Sequence, residues 1–291
     1  MSPAAEIQLI ALRELRRSVR SVKGIILGVL TLLGAIVTSL VCVWIEGDDR
    51  AKAGVGSTAA YIDLKRQALE KATGDASFAS YAATIPSSLL IFLKITIWLG
   101  PLLIALLGFD IISGETQHRS VRFWTVRSRR ASYFTGKLVG LWALVGLITL
   151  VLDLIAGGVA TARGYVTVGQ LFTWGLRFWL VAFVIAGAWA AVATFISSLF
   201  KTPILSLLTT FATFFVMWLF GLGGFIARIR EGLASGVMKD MSWYEYLYPN
   251  AYDTMMLAPH AGRVALAHGI LLGFVLALTA AGALVFARRD V

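Results

Sequence analysis

Six long apolar runs divide the chain: Gly24–Ile45, Ser87–Ile112, Gly136–Ala162, Arg177–Leu199, Pro203–Ile226 and Val264–Ala287. Each holds about 20–27 residues, long enough for a helix to cross a hydrocarbon core with some tilt. Hydrocarbon offers backbone N–H and C=O groups no partner, so a crossing segment is either a helix or a strand of a closed barrel. Unbroken runs of this length, rather than alternating stretches of about ten residues, select helices. The pattern predicts an all-α polytopic membrane protein with six transmembrane helices in one domain over residues 1–291. Between the first two runs, a polar stretch from Ala59 to Thr73 predicts a helix that stands in water.

The residues before the first run follow a different rhythm. Over residues 6–23, Ala11, Leu15, Val19 and Val22 recur at helical spacing, while Arg13, Arg16, Arg17, Arg20 and Lys23 gather on the other side. This predicts an interfacial helix with its basic face toward anionic headgroups. Lysine and arginine also mark one side of the membrane. Arg119, Arg122, Arg127, Arg129, Arg130 and Lys137 join runs two and three, Lys201 joins runs four and five, and Arg288 and Arg289 close the chain. In a six-span topology these regions share a side with the N-terminus, so the positive-inside rule predicts both termini in the cytoplasm. The opposite side receives Glu46–Pro86, a short link near Arg163, and Ala227–Arg263, where acids and bases balance.

Composition supports the membrane reading. Only 14% of the 291 residues are charged, against about a quarter in a soluble domain. The net charge of +10 would raise nucleic acid as a partner in a soluble protein. Here the basic residues flank apolar runs, so topology explains them and no nucleic-acid partner is expected. The single cysteine, Cys42, excludes a disulfide within the chain and reads as a small core residue. The first run exceeds the 7–15 apolar residues of a signal peptide and is expected to be retained.

Catalytic patterns are missing. The stretch Ala131–Leu138 ends in Gly136-Lys137 but lacks the first glycine of a phosphate-binding loop and the Ser or Thr after lysine. There is no HExxH and no GxSxG. His118, His260 and His268 form no ligand set. His118 is expected in solvent, His260 in an external loop and His268 in a structural hydrogen bond. The chain is therefore expected to bind no cofactor or metal of its own and to have no catalytic residue.

Phe109-Asp110-Ile111-Ile112-Ser113-Gly114-Glu115 closes the second run. Tyr133-Phe134-Thr135-Gly136-Lys137-Leu138-Val139-Gly140 opens the third, and the chain ends Phe286-Ala287-Arg288-Arg289-Asp290-Val291. In order and topology these resemble the ABC-2 permease family of ATP-binding-cassette transporters, with its "D-x-I-x-x-E", "GK" and "F-x-R-R-D" patterns. Two departures stand out. Arg119-Ser120-Val121 occupies the place of the family's "GTL", and Arg127-Ser128-Arg129-Arg130 replaces "P-V-S-R" without its proline. The resemblance implies two copies of a separate ATPase subunit that supply ATP and Mg²⁺ chemistry. It also implies a second permease copy or related permease, a bacterial inner-membrane location and export. A mechanotransmitting subunit that moves no substrate and an intramembrane enzyme are the other classes.

The resemblance also implies that residues 114–130 form a cytoplasmic coupling segment. On one helical wheel, Glu115, Arg119, Arg122 and Arg129 share a face, with Val121 and Trp124 opposite. Glu115 and Arg119 could pair at i, i+4. Phe123 and Trp124 offer an aromatic wedge, and arginine suits carboxylate partners. The alternative is a topology signal lying on headgroups. Within the membrane, Lys94 and Asp153 are expected either to pair between adjacent spans or to be accommodated separately, by snorkelling and protonation. Asp110 is expected to orient the coupling segment and Arg177 to sit at the interface. Phe225, Trp243, Tyr244, Tyr246, Tyr248 and Pro249 read as interfacial anchors or as a segment turning back from the external face.

Overall fold

The computed structural model describes residues 2–54, 57–73, 76–125, 128–235 and 243–288, without the side chains of 72–73, 124–125, 225 and 228–235. Arg127 and Arg289, and the side chains of Trp124 and Phe225, thus lie outside the described set. Among the described residues there is no strand. Six helices among the described residues are long and apolar enough to cross a membrane.

Helix α1 (Pro3–Arg20) starts at Ser2, whose side chain accepts the N–H of Ala5. It ends at Ser21, so Val22 and Lys23 open the first crossing helix, α2 (Val22–Lys52), rather than extending the interfacial one. The Ser21 hydroxyl accepts the N–H of Gly24 and donates to the Ser18 carbonyl. The serine thereby supplies partners at both helix ends and turns the chain. Helices α3 (Thr58–Thr73) and α4 (Ala76–Ala83) follow, then α5 (Ser87–Gly108) and the short α6 (Ser113–Gln117) and α7 (Val121–Thr125). The third crossing is α8 (Arg130–Ala162). The fourth joins α9 (Val168–Gln170), a π-helical turn (Leu171–Gly175) and α10 (Leu176–Leu199). Next come α11 (Pro203–Ser235), two 3₁₀ turns (Glu245–Leu247 and Pro249–Tyr252), α12 (Asp253–Met256) and α13 (Ala261–Ala287).

Several crossings outrun their hydropathic cores. Helix α2 continues past Ile45 because its charged residues find partners that hydropathy cannot register. Buried Glu46 pairs with Arg50 at 2.5 Å and accepts the N–H of Ser88 at the start of α5. Arg50 lies over the rings of Tyr61 and Tyr165. The fourth crossing begins at Val168 rather than Arg177, and Arg177 stacks on Tyr81 and Trp174.

The chain forms two compact units. One comprises residues 1–25, 97–145 and 183–291, and the other 26–96 and 146–182. The most apolar stretch of the fourth crossing is 83% buried, against 17% for that of α2. Cys42 is buried, as expected of a small core residue. His118 is exposed, His260 stands at the N-cap position of α13 without a side-chain capping bond, and His268 Nδ1 lies 2.7 Å from the Val264 carbonyl.

Candidate functional site

The first unit brings α1, the α5–α6 junction and the start of α8 together. Gly136 and Gly140 set the approach. A Cβ at Gly136 would stand 2.7 Å from Ile10, and one at Gly140 would stand 2.8 Å from Glu14. Small residues four apart let two helix backbones cross closely. Ile10, Ala11 and Glu14 of α1 are buried as a result. Helix α1 therefore has three faces: an arginine face, an exposed apolar face with Leu12 and Val19, and a protein face. The amphipathic pattern displayed only the first two.

Glu14 brings a carboxylate onto this protein face, and α6 brings another, Glu115. Both are buried and both meet Lys137 of α8, whose Nζ is 2.5 Å from Glu14 Oε2 and 2.5 Å from Glu115 Oε1. Arg17 donates to the same Glu115 oxygen, and the Tyr133 hydroxyl donates to Glu115 Oε2 at 2.6 Å. Two carboxylates thus face two cations, and no formal charge is left over. An isolated charge at this depth would be costly, whereas a matched and hydrogen-bonded set is tolerated. Lys23 adds a second tie between α2 and the end of α5, 2.5 Å from Asp110 Oδ1 and 3.3 Å from the Leu107 carbonyl. At the start of α8, Glu6 accepts the N–H of Arg129. A hydrogen bond from the Ser132 side chain and, after it, the one from Arg129 lower the pKa of the Glu6 carboxyl from its ordinary value.

The break between α5 and α6 is satisfied from other helices. The Ser197 hydroxyl of α10 accepts the N–H groups of Ile112 and Ser113 and donates to the Phe109 carbonyl. Ser206 of α11 donates to the same carbonyl at 2.6 Å. These serines replace the backbone bonds that the interruption removes.

The coupling segment departs from the single helix expected over Glu115–Arg130. It is two short helices separated at His118–Ser120, with α8 starting afresh at Arg130. The Ser120 N–H bonds the Glu115 carbonyl and the Arg119 N–H bonds the Thr116 carbonyl. This is the Schellman termination, which requires a left-handed residue between the two bonds. Arg119 is that residue, with φ 56°. The family's glycine falls at this position, and arginine adopts the same conformation at a steric cost. Because the helix ends here, Glu115 does not pair with Arg119. It turns inward to Lys137, Arg17 and Tyr133.

The remaining segment residues point elsewhere. Arg119, Arg122 and Arg129 are exposed, and Phe123 is 75% exposed. Val121 is fully buried and anchors α7. In the second unit, Lys94 lies on an exposed face of α5. Asp153 of α8 is half-buried, with Oδ2 3.1 Å from where a Cβ on Gly175 of the π-helical turn would stand. Sequence reasoning missed Arg17 and Tyr133 as partners of Glu115, and Glu14 as the second carboxylate on Lys137. The one available signal was an acid, Glu14, among the basic residues of α1. Among the described residues, no cluster of His, Cys, Asp or Glu could hold a metal ion.

No curated protein matches the chain. A profile of the ABC-2 family transporter proteins matches residues 8–291, spanning all six crossings, the α1–α6–α8 network and the closing Phe286-Ala287-Arg288-Arg289 sequence. The chain therefore belongs to the ABC-2 family, as a multi-pass membrane permease component of an ABC transporter.

Proposed function

We propose that this chain is the permease subunit of an ATP-driven exporter in a bacterial inner membrane. Two copies of a separate ATPase subunit bind ATP and Mg²⁺. A second permease, identical or related, completes the translocation path. Both termini and residues 114–130 face the cytoplasm, where the ATPase docks on α7 and its flanks through Arg119, Arg122, Phe123, Trp124 and Arg129, while Glu115 acts from inside as the root of that contact. ATP-driven closure pushes α7, and the network passes the displacement to α1, α5 and α8, switching the permease between inward- and outward-facing states.

One observation carries this reading: a segment with a charge-locked root and an exposed aromatic tip. Glu115 is fixed by three partners, and Phe123, eight residues on, stands in the open. A rigid root transmits force, and an exposed aromatic beside arginine is a common interface anchor. The test replaces Arg122 and Trp124 together with alanine and measures co-purification with the ATPase. The expected result is loss of the complex with the permease still folded; an unaltered yield of complex counts against docking.

Lys94 and Asp153 are proposed as an ion pair in the second unit, formed during the transport cycle. Each single charge reversal is expected to impair transport and the exchanged pair to restore it. Failure of the exchange to restore transport argues against pairing.

A further inference from the structure

Pro101 lies inside α5. Proline has no N–H, so the carbonyl four residues earlier, that of Ile97, loses its helical partner. In hydrocarbon an unpaired carbonyl is costly, and another group must satisfy it. Here that group comes from the far side of the sequence. Asn250, in the 3₁₀ turn Pro249–Tyr252, donates through Nδ2 to the Ile97 carbonyl at 2.9 Å. The same amide accepts the indole N–H of Trp189 at 2.7 Å through Oδ1. Trp189 can only donate and a backbone carbonyl can only accept, so these two neighbours fix which way the amide points. Asn250 is 7% exposed and Trp189 1%.

The surroundings seat this turn deeply. The Tyr248 ring lies 5.9 Å from the Trp189 ring, edge on, and its hydroxyl accepts from Asn250 Nδ2 at 3.0 Å. Gly221 of α11 makes room for it, since a Cβ there would come within 2.3 Å of Tyr248 Cδ1. Tyr252, the last residue of the turn, and Met256 beyond it are also buried. One side chain thus ties three elements, α5, α10 and the segment between α11 and α13, at the point where α5 lacks a bond of its own.

We propose that Asn250 is a positioning residue that acts as a releasable latch: it supplies the hydrogen bond that Pro101 cannot make and thereby fastens residues 245–256 to α5 and α10. The latch is neutral, so it breaks and reforms without stranding a charge in the membrane. An uninterrupted helix would already satisfy the Ile97 carbonyl with a backbone N–H, so the bond from the turn would no longer be the one that satisfies it. Helix α5 runs on through the 109–112 junction to α6, so a shift of α5 along its axis changes the Asn250–Ile97 distance directly. That last link rests on the proposed ATP-driven role of the α6–α7 segment; the latch itself does not.

The test uses the full chain in lipid nanodiscs, without the ATPase. The single cysteine is removed by Cys42→Ser and a reporter introduced by Ala251→Cys, read as the rate of modification by a maleimide. Asn250→Ala is expected to speed labelling by about tenfold, as two buried hydrogen bonds are lost. Trp189→Phe, which keeps a ring and removes only the donor, moves the rate the same way by less, and it serves if Asn250→Ala yields no folded protein. A second readout separates a latch from general loosening. The drop in melting temperature caused by Asn250→Ala, or by Asn250→Asp, is expected to shrink in the Pro101→Ala background, where a backbone N–H again reaches the Ile97 carbonyl. Unchanged labelling in both Asn250→Ala and Trp189→Phe overturns the latch. An equal melting drop with and without Pro101 overturns the substitution of side chain for backbone. Adding the ATPase with ATP and vanadate is expected to speed labelling of the unlatched reporter's parent; no change there, with the first two results intact, counts against the coupling role alone.

Discussion

Two polar clusters in the same unit do similar work with different chemistry. Glu14, Arg17, Glu115, Tyr133 and Lys137 join α1, α6 and α8 with full charges. Asn250, Trp189 and the Ile97 carbonyl join the 249–252 turn, α10 and α5 with neutral dipoles. The first cluster reaches solvent through Arg17, whose side chain is 54% exposed. The second has no such outlet. Charges are tolerable where each meets its opposite and part of the set stays hydrated. Where every member is buried, a neutral amide satisfies its neighbours without the desolvation cost of an ion. The charged cluster is suited to hold, and the neutral one to let go.

The comparison can be broken most severely at Lys137. Lys137→Met leaves Glu14 and Glu115 buried without their shared cation, at an expected cost of about 3–5 kcal/mol. The measurement is thermal unfolding of the purified chain. The triple variant Glu14→Gln, Glu115→Gln, Lys137→Met removes all three charges and is expected to recover a large share of that loss. No recovery would mean that the cluster's charge balance is not what holds it together.

Gly136→Val probes the geometry beneath the same cluster. It places a branched side chain against Ile10 and is expected to cost about 1–3 kcal/mol by forcing α1 off α8. The readout is proteolytic release of the N-terminal helix, and unchanged protection would show that α1 can give way. Arg119→Gly sharpens the picture in the opposite direction. It removes a left-handed arginine from the end of α6 and is expected to stabilise the chain by about 1 kcal/mol, read as a higher melting temperature. The smallest effect on stability belongs to Phe123→Ala. At an exposed position it is expected to stay within about 0.5 kcal/mol while weakening co-purification with the ATPase, which would separate the tip of the segment from its root.

The two clusters also differ in how far the sequence revealed them. Glu115 and Lys137 were visible as charges beside apolar runs, and a sequence pattern drew them out before any contact was known. Their partnership was not visible. A wheel through residues 115–130 allows Glu115 to pair with Arg119, because nothing local shows that the helix ends at His118. That ending rests on Ser120 and Arg119 reaching back to carbonyls of the preceding turn, and on Val121 being buried by the fold. Asn250 left no local signal. It reads as one polar residue in a polar loop, and Pro101 reads as one proline in an apolar helix. Their relation exists only across a sequence separation of 153 residues.

What the sequence determined by itself was the number of crossings and the basic helix before them. These follow from transfer of each segment into hydrocarbon, a property of consecutive residues alone. The helix at 59–73 was legible from its own polar sequence pattern, also a local property, and stands at Thr58–Thr73. The tertiary structure alone decided which carboxylate meets which cation, where α1 turns its third face, and which side chain replaces the bond missing at Pro101. Those choices depend on distances between segments far apart in the chain, and a buried polar group takes whatever partner the packing brings within about 3 Å.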